Sequence, residues 1–145
     1  MKMPEVLLVD DNPADVDLTS EGLARSECSH RINSVSDGAE AMAFLHREGK
    51  YHDAPSPALM ILDLNLPRKD GRAVLAEVKT DPALRQTPVV IFSTSQAGPD
   101  IGRSYQLGAN SYVTKPAELS EFFSVVRSIG EFWLGCACLP SPEES

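Results

Sequence analysis

LMILDLNLP, residues Leu59–Pro67, is the stretch of sequence that decides the fold. Its first four residues are apolar and predict a short buried strand, and Asp63 follows where that strand ends. Pro67 cannot donate a hydrogen bond to a sheet, and the following Asp70-Gly71 pair is typical of a turn. Open α/β sheets bind their ligands at the carboxyl ends of their strands. An acid in this place can bind a ligand, but it can also simply cap a loop. The residues that follow the other strands decide between these two interpretations.

Four further segments predict strands, and three of them also end in polar side chains. These segments and the residues that follow them are Glu5–Val9 before Asp10-Asp11, the weaker Arg31–Val35, Pro88–Phe92 before Ser93, and Ser111–Thr114 before Lys115-Pro116. Helical patterns separate the strands, so strand and helix alternate five times. This alternation predicts an α/β fold, a parallel sheet with helices on both faces. Because crossovers between parallel strands are right-handed, we expect all these polar ends at one edge of the sheet.

The predicted strands and helices form one domain, because a chain of 145 residues has no room for a second. Asn12-Pro13 is expected to cap and open the first helix, and the last helix is expected from about Glu118 to about Leu134. We therefore predict a single domain over residues 1–134 and a loose tail over residues 135–145, which contains two prolines.

Composition limits the classes of function. The net charge of −8 disfavours a nucleic-acid surface, which needs a basic patch. No apolar run approaches the roughly 20 residues that a membrane-spanning helix needs, and no signal peptide precedes the first strand. Three cysteines are an odd number and do not make a disulfide framework. We expect a cytoplasmic protein that contacts neither nucleic acid nor membrane.

The residues at the predicted edge suit phosphoryl transfer. Asp10, Asp11 and Asp63 would repel one another unless a cation lay among them, and an all-oxygen site suits a hard ion such as Mg²⁺. An aspartate can also act as a nucleophile that forms an acyl phosphate. Lys115 and Ser93 could then contact the phosphoryl oxygens, because phosphoryl transfer depends mainly on positioning and charge neutralisation.

With these residues in place, the chain resembles a response-regulator receiver domain of two-component signalling over roughly residues 5 to 134. The resemblance implies the flavodoxin-like (βα)5 fold with strand order 2-1-3-4-5. The stretches LNLPRKDGR (residues 64–72) and GANSYVTKP (residues 108–116) are most similar to a narrower group. That group is the small single-domain regulators paired with bacteriophytochrome and cyanobacterial phytochrome kinases.

The resemblance also implies roles for individual residues. Asp63 would be the phosphorylated aspartate, and the metal would be held by Asp10, Asp11, Asp63 and the backbone carbonyl of Asn65. Lys115 would be the family's lysine, joined to Pro116 by a cis peptide bond. Ser93 would be the switch hydroxyl, and Tyr112 would be the switch aromatic residue. Many receivers have threonine at the position of Ser93, but serine retains the hydroxyl.

Two other classes of protein share part of this pattern. A phosphatase of the haloacid dehalogenase type also uses an aspartyl nucleophile and Mg²⁺, but it needs a second aspartate where this chain has Asn65. A flavodoxin-like FMN carrier would need a phosphate-binding loop after the first strand, where Asp10 and Asp11 would repel a phosphate. Both alternatives fit the sequence less well than a receiver does.

The resulting hypothesis is a stand-alone response regulator rather than an enzyme. It would accept a phosphoryl group from a histidine kinase and signal through changed protein contacts, without a DNA-binding output domain. The last helix carries apolar residues over about half its circumference. We predict that Leu119, Phe123 and Val126 face the sheet, while the apolar surface extends beyond them to Phe122, Val125, Ile129 and Phe132. This excess predicts a homodimer through the fourth and fifth helices, unless the tail folds back over the patch.

Overall fold

A computed structural model, which describes residues 3–140, contains a five-stranded parallel sheet of order β2-β1-β3-β4-β5. The strands are β1 (Glu5–Val9), β2 (Arg31–Val35), β3 (Leu59–Leu62), β4 (Val89–Ser93) and β5 (Ser111–Thr114). Every neighbouring pair is parallel. The predicted fold class and strand order are therefore confirmed.

Five α-helices follow the five strands in turn. They are α1 (Pro13–Ala24), α2 (Gly38–His46), α3 (Gly71–Thr80), α4 (Gly98–Gln106) and α5 (Leu119–Gly130). The long connection after α2 contains a short 3-10 turn, Gly49–Tyr51, and a π-helical segment, Glu131–Cys136, continues α5. Within residues 3–140, no helix is long and apolar enough to cross a membrane.

Alternating side chains of the strands build a core on each face of the sheet. On one face, Leu7, Met60 and Ile91 pack with buried residues of α2 and α3. On the other face, Leu8 and Phe92 pack with residues of α1 and α5. Strands buried on both faces explain why the β3 segment is apolar at every position.

The strand register brings the carboxyl ends of the central strands level with one another. Val9 at the end of β1 pairs with Leu62 at the end of β3, and Leu62 pairs with Ile91 in β4. Ser93 at the end of β4 pairs with Thr114, the last residue of β5. The residues that follow these ends therefore meet at one edge, as the sequence predicts.

The orientation of α5 corrects one prediction. Phe122, Val126 and Ile129 are the residues buried against the sheet, whereas Leu119 is 54% exposed. Phe123 is half-buried beside α1, where the Arg25 guanidinium lies 3.9 Å from the centre of its ring. The predicted stripe was wrong at Leu119, and Phe122 and Ile129, predicted to lie outside it, are buried instead. An apolar arc of about half the helix fits more than one rotation about the helix axis.

The end of the domain also differs from the predicted boundary. Helical structure continues past Leu134 to Cys136, and the half-buried Trp133 and Leu134 pack against the core shared by α1 and α5. Phe132 stays 55% exposed, so the chain up to Pro140 does not cover it. The remainder of the predicted tail, residues 141–145, lies outside the described residues.

Candidate functional site

Three carboxylates converge where β1 and β3 end. Carboxylate oxygens of Asp10, Asp11 and Asp63 all lie within 4.8 Å of one another. Asp10 is buried, Asp63 is half-buried and Asp11 is exposed, so the cluster opens to solvent on one side. The backbone N–H of Asn12 donates to Oδ1 of Asp10 at 2.9 Å, and that of Asn65 donates to Oδ1 of Asp63 at 3.3 Å. These bonds fix the orientation of both carboxylates.

Lys115 enters the cluster from the end of β5. Its Nζ donates to Oδ2 of Asp10 at 2.7 Å, to Oδ2 of Asp63 at 2.9 Å and to Oδ2 of Asp15 at 3.0 Å. Lys115 is only 7% exposed, and its Nζ lies 5.8 Å from the centre of the Phe92 ring. A buried ammonium group of this kind is stable because each of its N–H donors has a charged acceptor.

Burial and pairing change the pKa values of the two most buried charges. Burial lowers the pKa of Lys115, but the hydrogen bonds with Asp10 and Asp63 more than offset it, so its pKa lies above the usual range of lysine. Burial raises the pKa of Asp10, and the hydrogen bonds from Lys115 and Asn12 oppose that effect. Lys115 is therefore a permanent positive charge in this cluster.

The Lys115–Pro116 peptide corrects a second prediction. Residues 3–140 contain no cis peptide bond, so the bond between Lys115 and Pro116 is trans and the predicted cis bond was wrong. The trans form of an X–Pro bond is favoured by about 0.5–1 kcal/mol. Here it is compatible with the site, since the Lys115 N–H donates to the Ser93 carbonyl at 2.7 Å while Nζ reaches the acids.

Ser93 lies at the end of β4, between the strands that lead to Asp63 and Lys115. It is fully buried, and its Oγ accepts a hydrogen bond from the Ser95 N–H at 3.3 Å. The Ser95 carbonyl accepts from the hydroxyl of Tyr112 at 2.9 Å. The predicted switch pair, Ser93 and Tyr112, is therefore connected through the backbone of Ser95.

Ser95 also joins this pair to α4 and α3. Its Oγ donates to Oδ2 of Asp100 at 2.6 Å, and Arg72 of α3 donates to Oδ1 of Asp100 at 2.8 Å. These two bonds hold the pKa of Asp100 below its usual range. We call the connected residues Arg72, Asp100, Ser95, Ser93 and Tyr112 the hydroxyl chain. It links the end of β4 to two helices and to β5.

The acid cluster fits a hard divalent cation. Its donors are carboxylate oxygens, which suit Mg²⁺ or Mn²⁺, and the single positive charge of Lys115 does not balance the negative charges of three neighbouring carboxylates. The carbonyl of Asn65 stays a prediction, because the structure establishes only the N–H contact of that residue. Asp10, Asp11 and Asp63 are the side chains that would hold the ion.

An open groove leads to the cluster from solvent. It has a volume of about 390 Å³ and runs past Asp10 and Asp11 to Glu40, Lys50 and Tyr51. Lys50 pairs with Glu40 at 3.0 Å on the far wall. Asp10 and Asp11 are therefore accessible from the side of the groove that carries Glu40 and Lys50.

Comparison with known proteins identifies this arrangement. The family model of the response regulator receiver domain matches residues 6–127, most of the chain. The chain belongs to this family. The resemblance of the sequence to receivers is thereby confirmed.

Individual relatives narrow the comparison to phytochrome response regulators. The chain is 46% identical over 136 residues to the response regulator Rcp1 of Synechocystis sp., covering 94% of this chain and 92% of Rcp1. A crystal structure of the Mn²⁺-bound form of Rcp1 matches with a TM-score of 0.92 at 45% identity, over 95% of this chain and 99% of that one. The phosphorylated cyanobacterial phytochrome response regulator RcpA matches with a TM-score of 0.92 at 52% identity, over 97% and 100% of the two chains. The predicted likeness to this narrower group is confirmed.

Sequence reasoning missed two features of the receiver site. Asp15 contacts Lys115, although it lies in the first turn of α1 rather than at a strand end. Asp100 and Arg72 join the switch residues through Ser95. A carboxylate in a first helical turn usually interacts with the helix itself, so no local pattern indicates the contact with Lys115.

Proposed function

We propose that this receiver accepts a phosphoryl group on Asp63 from a sensor histidine kinase, in a reaction that depends on Mg²⁺. The observation that carries the proposal is the position of Asp63, which lies within the acid cluster and 2.9 Å from the ammonium group of Lys115. A carboxylate oxygen of Asp63 would attack the phosphorus atom of phosphohistidine. The P–O bond forms as the P–N bond breaks, and the departing imidazole takes up a proton.

The residues of this chain supply position and charge for that transfer. Lys115 would contact an oxygen of the phosphoryl group, and the hydroxyl of Ser93 would donate to another. A bound Mg²⁺, held by Asp10, Asp11 and Asp63, would supply further neutralisation of phosphoryl charge. Hydrolysis of the acyl phosphate by water would return the carboxylate and release inorganic phosphate.

The proposal is tested with a small phosphodonor, acetyl phosphate, and intact-mass analysis. With Mg²⁺ we expect one acid-stable, base-labile phosphoryl adduct, and peptide mapping should place it on Asp63. Asp63→Asn should show no adduct, whereas the control Asp53→Asn, at an exposed loop position, should behave as the wild type. An equal yield in Asp63→Asn, or in the presence of EDTA, would reject the proposal.

We further propose a phytochrome-like kinase as the phosphodonor, because the matching protein RcpA is a cyanobacterial phytochrome response regulator. Purified phytochrome histidine kinase should transfer its phosphoryl group to this receiver faster than a kinase of another class does. Equal rates from both kinases would contradict this assignment. The output would be a change in protein contacts, since a net charge of −8 disfavours nucleic acid.

In this proposal the chain is a signalling protein and not an enzyme that turns over a separate substrate. The acceptor is its own Asp63, and its groups promote both gain and loss of the phosphoryl group. We place the exchange in the cytoplasm, where free thiols such as Cys28, Cys136 and Cys138 persist. The phosphatase alternative is disfavoured because Asn65, an amide, occupies the position where that chemistry needs an acid.

We also propose a homodimer through α4, β5 and α5. Large apolar side chains on these elements and their continuation are exposed: Tyr105 at 49%, Leu119 at 54% and Phe132 at 55%. Aromatic residues are favoured anchors in interface cores, and a two-fold axis would bury the same patch on both subunits. Light scattering should show a dimer for the wild type and for Phe132→Leu, and a monomer for Phe132→Glu. A monomeric wild type, with or without phosphorylation, would reject the dimer.

A further inference from the structure

Asp15 completes the set of acceptors around Lys115. An ammonium group has three N–H donors. In this structure the three acceptors within hydrogen-bond distance of Nζ are carboxylate oxygens of Asp10, Asp15 and Asp63, at 2.7 Å, 3.0 Å and 2.9 Å. The full donor capacity of Lys115 is therefore used by carboxylates.

The position of Asp15 is fixed by the start of α1. Asn12 caps this helix, and its Oδ1 accepts hydrogen bonds from the N–H groups of Ala14 and Asp15 at 3.0 Å and 3.2 Å. The N–H of Asn12 in turn donates to Asp10 at 2.9 Å. The capping residue thus sets the positions of both Asp10 and Asp15 relative to the end of β1.

We propose that Asp15 is a positioning residue for the phosphoryl group on Asp63, an inference that rests on the proposed function. Asp10 and Asp15 hold two of the three N–H donors of Lys115, so the third donor is directed at Asp63. A lysine side chain is a flexible stem with a compact charge, and without fixed partners it can adopt many positions. When Asp63 gains a phosphoryl group, the third N–H passes to a phosphoryl oxygen while the other two contacts remain.

A positioning role and a purely electrostatic role of Asp15 predict opposite changes in anion binding when Asp15 is removed. Asp15 carries a negative charge close to the place where an anionic phosphoryl group would lie, and like charges repel. If Asp15 acted through its charge alone, its removal would strengthen the binding of an anion. If it positions Lys115, its removal weakens that binding.

The experiment measures the affinity of the full chain for beryllofluoride, a non-covalent phosphoryl analogue, by calorimetry in the presence of Mg²⁺. We expect about tenfold weaker binding in Asp15→Ala, as for the loss of one charge-assisted hydrogen bond near a partly exposed site. Asp15→Asn retains an acceptor oxygen and should stay within about twofold of the wild type. The matched control is Asp17→Ala, which removes the same charge from an exposed position two residues along α1 and should not weaken binding.

Two results would overturn the proposal. One is beryllofluoride affinity in Asp15→Ala equal to or tighter than that of the wild type. The other is an equally large loss of Mg²⁺ affinity, measured without beryllofluoride, because Asp15 would then act on the cation. Thermal unfolding establishes that each variant is folded, and Asp15→Ser provides the same comparison should the alanine variant fail to fold. The proposed function fails separately, if the wild type itself binds no beryllofluoride or gains no phosphoryl group on Asp63.

Discussion

Two groups of side chains lie at the carboxyl edge of the sheet, and they are held in place differently. In the acid cluster, Asp10 and Asp63 pair through charge with one buried ammonium group, that of Lys115, which also pairs with Asp15. The hydroxyl chain joins Ser93 to Tyr112 and α4 through hydrogen bonds of partly exposed groups, and it reaches α3 through one ion pair, between Arg72 and Asp100, whose side chains are both 30% exposed.

The difference indicates that the two groups have different roles. Charges in a buried cluster are strongly coupled, so the cluster can respond sharply to one added anion or cation. Hydrogen bonds of hydroxyl groups are individually weak and exchange partners at small cost. The acid cluster is thus suited to chemistry, and the hydroxyl chain is suited to rearrangement after the chemistry.

Removing the central charge should have the largest effect. Lys115→Met leaves three neighbouring carboxylates without their common partner, and we expect the free energy of unfolding in EDTA to fall by about 2–4 kcal/mol. Mg²⁺ should restore more stability to this variant than it adds to the wild type. Urea unfolding at pH 7 measures both quantities.

The control for that prediction is Lys50→Met. Lys50 is exposed and forms one ion pair, with Glu40 at 3.0 Å, so its replacement should cost far less than that of Lys115. Equal losses in the two variants would show that the acid cluster is not specially dependent on Lys115.

A smaller effect is expected at Tyr112, where the hydroxyl chain ends at β5. Tyr112→Phe keeps the ring but removes the hydroxyl that donates to the Ser95 carbonyl at 2.9 Å. We expect a loss of about 1 kcal/mol in unfolding free energy, with the yield of phosphorylation on Asp63 unchanged. A large loss of phosphorylation in this variant would mean that the two groups are not separate.

The smallest effect is expected at Asp100, which lies between Arg72 and Ser95 in the hydroxyl chain. Asp100→Asn weakens the contacts with Arg72 and Ser95, and amides of residues 94–107 should exchange about threefold faster with solvent. Asp70→Asn is the matched control, because Asp70 also contacts Arg72 but lies outside the hydroxyl chain. Equal exchange rates in the two variants would mean that the contacts of Asp100 do not restrain residues 94–107.

Much of the fold could be predicted from sequence, because its signals are local and agree with one another. Buried strands appear as short apolar runs, and Asn12 and Asp70 mark the starts of α1 and α3 as side-chain caps. The parallel connection then brings Asp10, Asp63, Ser93 and Lys115 to one edge without further information.

The parts that sequence did not predict depend on contacts between distant elements. The rotation of α5 was wrong at Leu119 because too many of its residues are apolar for periodicity to select one face. Asp15 meets Lys115 across 100 residues of sequence, and Asp100 meets Arg72 across 28. Such ion pairs follow from the packing of helices on the sheet, which a local pattern does not contain.

The central claim is that phosphorylation of Asp63 causes a structural change, and that this change is transmitted through the hydroxyl chain. Amide hydrogen exchange of the wild type, with and without beryllofluoride and Mg²⁺, tests it most directly. The account predicts altered exchange in residues 93–107 and at Tyr112, little change in α2, and no response in Asp63→Asn. Unaltered exchange in residues 93–107, or a change confined to the start of α1, would contradict it.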